Sequence, residues 1–467
     1  MHCILPQSIL HRYHIVYNNV KFWGPGALEF HYFLFLFIIF YGGDMKDFEY
    51  DKTLIEGIEN FEEKIEAYAA WIINGGLRFE KGWALGIACP ITCPDIARAL
   101  TKVAYKQGAR DVTVYWEDPY TQREKFANAE DKYLENKDPW PDRAKEKYGV
   151  KNLAFVYLLC ACPSFFNDLP IEKQLKNSQW TNTVFGSFKR GLDVPYTICA
   201  ASNREWAHDV YPDLPADEAY IKLWNNLFEV ARIDGKTDPV KEWFAHCEEM
   251  QNHAEILNKY HFHHLHYTSE IGTDCTFELP ENHKWVATAV NTSSGGLKFS
   301  ANMPTEEVFC VPTKFGVNGK VVSSMPMLTK SGLVLNPEFT LKDGKIIDYN
   351  AKEGKEILDA VIESDENGRF LGEVAIVPYD TPISRQGTIY YNTLFDENAG
   401  CHTAVGNAYS KCLEGGLQMS TEELEASGLN ICKFHEDCIF GTKDTKIVGT
   451  TYEGEDVTIF EHGAWTI

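Results

Sequence analysis

The carboxyl half of this 467-residue chain carries residues of the types that bind metal ions or move protons at Glu306-Glu307, Glu373, Asp396-Glu397, His402 with Tyr409, and His435-Glu436-Asp437. His435 and Asp437 are two residues apart, so on a strand they share a face, about 6–7 Å from Cα to Cα. Glu306 and Glu307 on an extended segment point to opposite faces, so only one can join a given ligand set. Glu373 heads the apolar run Val374-Ala375-Ile376-Val377. Two histidines with several carboxylates suit Zn, Co or Mn, and the surplus of carboxylates suggests two ions sharing a bridging oxygen ligand. From spacing alone, a surface pair is the commoner reading of His-x-Asp, and a structural role the commoner reading of His402. Two other clusters lead elsewhere. Cys432-x-x-His435-x-x-Cys438 has the residue types of a zinc site, but on a strand residues three apart face opposite sides, and no fourth ligand is near in sequence. His261 to His266 reads as a half-exposed strand that splits its histidines between two faces.

The elements that must position these groups can be read in outline. From Trp83 the pattern alternates strand and helix: an apolar run to Ala88, a helix opened by Pro94-Asp95 and closed at Gly108, then a strand from Asp111 to Trp116. That is a βαβ unit and predicts a mostly parallel sheet covered by helices. Leu153–Ala161 and Tyr196–Ala201 are further strand candidates, and no Gly-x-Gly-x-x-Gly follows any of them, so a dinucleotide site has no support. Helices are expected over Glu218–Ile233 and Pro239–Leu257, as a connection between two lobes. Beyond Tyr260 the texture is β-rich, with turn signals at Asn318-Gly319, Asp343-Gly344 and Asn367-Gly368. One helix is expected from about Asn398 to Leu413, which would put His402 and Tyr409 on one face, two turns and ~10 Å apart. The expected fold is α/β in two lobes: an amino-terminal α/β domain with its connector over 45–258, and a mixed, β-rich α+β metal-binding domain over 259–467.

Composition narrows the function. The formal net charge is −23, which opposes binding to nucleic acid or to anionic lipid. Thirteen cysteines, an odd and scattered set, read as reduced thiols in a cytoplasmic protein. The first 44 residues differ from the rest, with 11 aromatics and an apolar run from Phe30 to Tyr41 too short to span a bilayer. Residues 1–44 are therefore expected to be non-native upstream sequence, the working chain beginning at Met45; a membrane anchor is the rival expectation.

Several longer motifs carry a resemblance. Asn302-Met303-Pro304-Thr305-Glu306-Glu307-Val308-Phe309, Leu371-Gly372-Glu373-Val374-Ala375 with Pro378, and Thr393-Leu394-Phe395-Asp396-Glu397-Asn398-Ala399 with Cys401-His402 and Gly406-x-Ala408-Tyr409 resemble the signatures of the aminopeptidase T, aminopeptidase S and PepS family of metal-dependent aminopeptidases. Gly272-Thr273-Asp274 and Gly463-x-Trp465 add to it, and the resemblance runs from about Met45 to the carboxyl terminus. It implies metal ligation by Glu307, Glu373, His402, His435 and Asp437, with Glu397 in addition, and a functional tyrosine at Tyr409. It also implies two divalent ions (Zn, Co, Mn or Mg), peptide substrates with a free amino terminus, and a homodimer. Glu306 is then a candidate general base with Glu373 the alternative, and Tyr409 a candidate donor to the developing oxyanion. The chain departs from the family in carrying Glu436-Cys438-Ile439 around Asp437 and Cys310 after the Glu-Glu-Val-Phe run. An amidase or deacylase using the same ligands, or a decayed peptide-binding relative, are the competing expectations.

Overall fold

The computed structural model describes residues 57–134, 152–160, 164–166, 168–170, 172–174, 176, 194–288, 290–292, 296–329 and 332–467. The expectations for residues 1–44 lie outside them. A helix α1 (Phe61–Ala70) leads into a parallel sheet of β1 (Ala84–Pro90), β2 (Asp111–Glu117), β3 (Leu153–Leu158) and β4 (Tyr196–Cys199), in the order β2-β1-β3-β4. The inner strands β1 and β3 are buried almost throughout, as unbroken apolar runs require in a sheet covered on both faces. Between β1 and β2, helix α2 (Pro94–Lys106) starts with Pro94 in its first turn and Asp95 at its positive end. It buries Ile96, Leu100, Val103 and Ala104, the positions whose spacing marked it as a helix.

Two helices connect the lobes, α3 (Ala216–Val230) and α4 (Pro239–Tyr260). Asp238 caps α4 by accepting from the Val240 amide at 3.0 Å. The helix is shared. Near its start Trp243 packs edge-on against Trp71 at 5.3 Å. Further on, Met250, Ala254 and Leu257 join the carboxyl-lobe core. One continuous helix therefore enters both lobes.

Besides two two-stranded ribbons, the described part of the carboxyl lobe holds a large and a small antiparallel sheet. The large one comprises β5 (Phe262–Thr268), β6 (Asp274–Glu278), β8 (Val317–Val322), β9 (Glu338–Lys342), β10 (Lys345–Asn350), β14 (Lys446–Thr451), β15 (Asp456–Glu461) and β16 (Ala464–Trp465). Its order is β10-β9-β8-β6-β5-β14-β15-β16. The small one runs β13 (His435–Ile439), β12 (His402–Gly406), β11 (Leu371–Ile376), β7 (Val308–Cys310). Both contribute to a single apolar core that includes Phe262, Leu265 and Phe277 from the large sheet and Val308, Val374, Val405 and Cys438 from the small one.

Of the three turn signals, Asp343-Gly344 is the β9–β10 hairpin, with φ of 48° and 76° as a two-residue primed turn requires. Asn367-Gly368 lies in a turn ahead of β11, where the Gly368 amide donates to Asp365 O at 3.0 Å. Asn318-Gly319 is not a turn but lies inside β8. There the glycine serves close approach, since a Cβ would sit 2.2 Å from Asp274 O on the neighbouring strand.

The expected helix from Asn398 to Leu413 is also corrected. A short helix α5 (Thr393–Asp396) and a 3-10 turn (Glu397–Ala399) give way to strand β12 at His402. Every residue of β12 is buried, so the strand shows no polar alternation that would separate it from a buried helix. His402 and Tyr409 are consequently not two turns apart on one helix: Tyr409 lies three residues beyond the end of the strand.

Candidate metal centre

The small sheet explains how distant residues converge. Across its ladders Glu373 stands opposite Ala404, which stands opposite Asp437; Ala375 faces His402; and Gly406 faces His435. Directly opposed residues share a face, so Glu373, His402, His435 and Asp437 project to one side. Phe309 pairs with Ala375 on that side, and Glu307, two residues earlier, follows it. The other face carries Val308, Cys310, Val374, Ile376, Val405 and Cys438 into the core. Alternation thus assigns ligands to one face and hydrocarbon to the other. Between the ligands stand the small residues Ala375, Ala404 and Gly406. A β-bulge at Gly372 shifts the β11–β12 register just before Glu373, and a Cβ there would sit 2.3 Å from Asn407 O. Bulges beside sites re-aim side chains in this way.

Two ligand groups result, Glu307–Glu373–His402 and Glu373–His435–Asp437, each with its ligand atoms within 4.8 Å of one another. His402 Nε2 lies 3.1 Å from Glu307 Oε2 and 3.2 Å from Glu373 Oε1. His435 Nε2 lies 3.8 Å from Glu373 Oε2 and 3.3 Å from Asp437 Oδ1. Glu373 thus offers one oxygen to each group. Ligands about 2.1 Å from a shared ion lie roughly 3.0–3.4 Å apart in octahedral or tetrahedral geometry. The donor set and its spacing fit divalent cations.

Both imidazoles are already oriented. Nδ1–H of His435 donates to Asn407 O at 2.7 Å, and Nδ1–H of His402 to Gly400 O at 3.2 Å. Carbonyls only accept, so each ring turns its Nε2 into the cluster, as metal-binding histidines require. The Thr403 hydroxyl donates to Glu373 O and ties β12 to β11 at the ligand.

Glu397 is buried in the same acidic cluster. Burial, followed by the charges of Glu307 and Asp437, holds its carboxyl well above the usual range. Burial also raises Glu373, against its hydrogen bond with His402. For His435 burial works downward, but Asp437 and Glu373 outweigh it and push the imidazole up to about 9. Four buried carboxylates with two imidazoles are unfavourable without cations or protons. Metal binding is therefore expected to release protons, because ligands protonated in the metal-free protein must give them up. For each proton displaced per ion the apparent affinity rises about tenfold per pH unit, up to the pKa of the group concerned. Zn titrations in buffers of different ionisation enthalpy between pH 6 and 8 read the proton count directly. A pH-independent affinity would contradict this arrangement.

Tyr409 packs its ring 4.6 Å from that of His435 and 6.2 Å from that of Phe309. Although 38% of its surface is exposed, burial of the hydroxyl and then the charges of Glu373 and Asp437 hold its pKa well above 10. It is a protonated donor facing the acidic cluster.

Glu306 stands apart from the two ligand groups. Its two oxygens lie 3.0 and 3.1 Å from Arg232 Nη2, and His246 Nε2 is 3.5 Å away. Its amide donates to Asn398 Oδ1 at 2.6 Å, beside Glu397. Arg232 and His246 had no signal in the sequence, because they precede Glu306 by 74 and about 60 residues on separate elements. Removing one partner of a buried pair leaves the other charge uncompensated. Arg232→Met is thus expected to destabilise the metal-free protein by about 3 kcal/mol, with part regained on adding Glu306→Gln. Urea unfolding of the two variants checks this; an unchanged midpoint for Arg232→Met contradicts it.

Among the described residues Cys432 and Cys438 join no ligand group, so His435 serves the acidic cluster alone. The 261–266 histidines are likewise outside it: His263 and His264 meet each other and His266 meets Asp274 at 2.7 Å. Every described cysteine is a free thiol, and among the described residues no helix is long and apolar enough to cross a membrane.

Comparison with known proteins agrees with this geometry. Aminopeptidase AmpS of Bacillus subtilis (strain 168) is 35% identical over 411 residues, which cover 87% of this chain and all of that protein. Aminopeptidase T of Thermus aquaticus is 32% identical over 413 residues, 88% of this chain and all of its own. The solved structure of wild-type AmpT from Thermus thermophilus superposes with a TM-score of 0.80 at 31% identity, over 87% of this chain and 100% of that one. The profile described as thermophilic metalloprotease (M29) matches residues 61–465. With the profile spanning both lobes and all six acidic and histidine positions, the chain belongs to the thermophilic metalloprotease (M29) family.

Proposed function

We propose that this chain is a metal-dependent aminopeptidase that removes the first residue of peptides at a two-ion site. The observation that carries the proposal is the pair of ligand groups sharing Glu373. The carboxylates of Glu307, Glu373, Glu397 and Asp437 and the neutral imidazoles of His402 and His435 would hold two divalent cations. Names carried by relatives that match over their whole length support the substrate class.

Bound divalent ions supply Lewis-acid polarisation of the scissile carbonyl and a water acidic enough to ionise near neutrality. The residues of the chain do the rest. Glu307, Glu373, Glu397, His402, His435 and Asp437 hold the ions. With Glu306 engaged by Arg232, we assign proton transfer to Glu373, whose carboxylate is central to the cluster. The Tyr409 hydroxyl donates to the carbonyl oxygen as negative charge develops there. An acidic lining of the site favours the α-ammonium of the substrate. Residues 45–258 and 259–467 act as the two lobes of a homodimeric cytoplasmic enzyme, a setting that suits its free thiols.

Hydrolysis of leucyl-p-nitroanilide before and after chelation, with Zn, Co, Mn and Mg restored in turn, tests the proposal. Activity is expected to vanish with the metal and return with one or more ions. Equal hydrolysis of the N-acetylated anilide would favour an amidase, and no activity with any ion would favour a decayed site.

A further inference from the structure

A groove of about 1050 Å³ is lined by Asn258, His261, Lys284, Lys411, Glu414 and neighbouring residues. Its frame is backbone pairing between two segments. The Lys284 amide donates to Cys412 O at 2.7 Å, the Glu414 amide to Asn282 O at 2.9 Å, and His283 bridges to Leu413. Lys411 stands where this groove meets the catalytic face. Its Nζ lies 4.5 Å from the ring centroid of Phe309 and 5.1 Å from that of Tyr409, whose ring in turn packs on ligand His435.

Two features make this cation unusual. The chain carries a net charge of −23, yet among the described residues no carboxylate lies within 4.0 Å of Lys411 Nζ or of Lys284 Nζ. Glu281 and Glu414 line the same groove and pair with neither. Lys411 is also half-buried, so its charge is incompletely solvated and would be stabilised by an anion. Packing over two aromatic rings holds it in place without neutralising it.

Resting on the aminopeptidase reading, we infer that Lys411, with Lys284 further along the groove, forms a subsite for the carboxylate terminus of a short peptide. The α-ammonium end of such a peptide meets the acidic cluster, and its carboxylate meets the ammonium one ring beyond His435. An extended residue spans about 3.3–3.6 Å, so one or two residues past the scissile bond cover the space on which Tyr409 and Phe309 stand. The subsite makes the enzyme select dipeptides and tripeptides with a free carboxylate over longer or amidated chains.

The test compares leucyl-glycine and leucyl-glycyl-glycine with their carboxyl-terminal amides, using the metal-loaded full chain. Wild type is expected to favour the free acid of at least one length by about tenfold or more in kcat/KM, the effect of one charge-assisted hydrogen bond. Lys411→Met should bring that acid-to-amide ratio close to one, and Lys411→Arg should largely keep it. A ratio near one in wild type, or an unchanged ratio in Lys411→Met, overturns the subsite. Leucyl-p-nitroanilide has no carboxylate. If wild type cleaves it but does not distinguish acid from amide, only the subsite falls. If it cleaves none of these substrates, the aminopeptidase reading falls and takes the subsite with it.

Discussion

Glu373→Ala is expected to lower kcat/KM by at least about three orders of magnitude and to reduce bound metal in both ligand groups at once. No other side chain is common to both groups. Its oxygens stand 3.2 Å from His402 Nε2 and 3.8 Å from His435 Nε2, so removing the carboxylate deletes a donor on each side. Glu307→Ala and Asp437→Ala each remove a donor from one group only. Their metal content should fall less. Misfolding is separable from this effect, because the metal-free protein gains from losing one of four crowded carboxylates, and Glu373→Ala should unfold no more easily than metal-free wild type. Metal analysis after dialysis, with urea unfolding alongside, makes the measurement. A Glu373→Ala protein with full metal content and more than a tenth of wild-type activity would exclude the shared-carboxylate arrangement.

Tyr409→Phe should act differently, lowering kcat about a hundredfold while leaving metal content and KM near wild type. The hydroxyl is the only group removed. Phe keeps the ring that packs on His435 and Phe309 and that carries Lys411 Nζ at 5.1 Å. A loss confined to kcat is the mark of an interaction made only as charge develops in the transition state. Steady-state kinetics at saturating metal distinguishes the outcomes. An unchanged kcat removes the hydroxyl from the chemistry, and a parallel loss of metal would make Tyr409 a support for His435 instead.

The amino-terminal lobe was legible because its signals are local. The α2 stripe of Ile96, Leu100, Val103 and Ala104, and the Pro94 start, report their environment within a few residues. The carboxyl lobe was legible as β-rich but not in detail. Strand β12 is the clearest failure, because its His402-Thr403-Ala404-Val405-Gly406 run is buried on both faces. The flanking glycines and the β-branched Thr403 and Val405 were the signals that favoured a strand. Gly319 failed for the opposite reason: its turn-like Asn-Gly pair answers to a neighbouring strand that the local sequence does not reveal.

By itself the sequence determined that carboxylates and histidines of ligand type are available in the carboxyl half, and the alternation that places His435 and Asp437 on one face and separates Glu306 from Glu307; the choice of six ligands and of Tyr409 came from the family resemblance. Those properties depend on side-chain type and on the two-residue period of a strand, and both are local. Only the tertiary structure decided how the groups are divided. It made Glu373 common to two ligand groups and turned Glu306 to Arg232. It also set Lys411 over Tyr409 at the mouth of a groove. Each of these depends on strand register and lobe packing between segments tens to hundreds of residues apart, and no local pattern encodes such pairings.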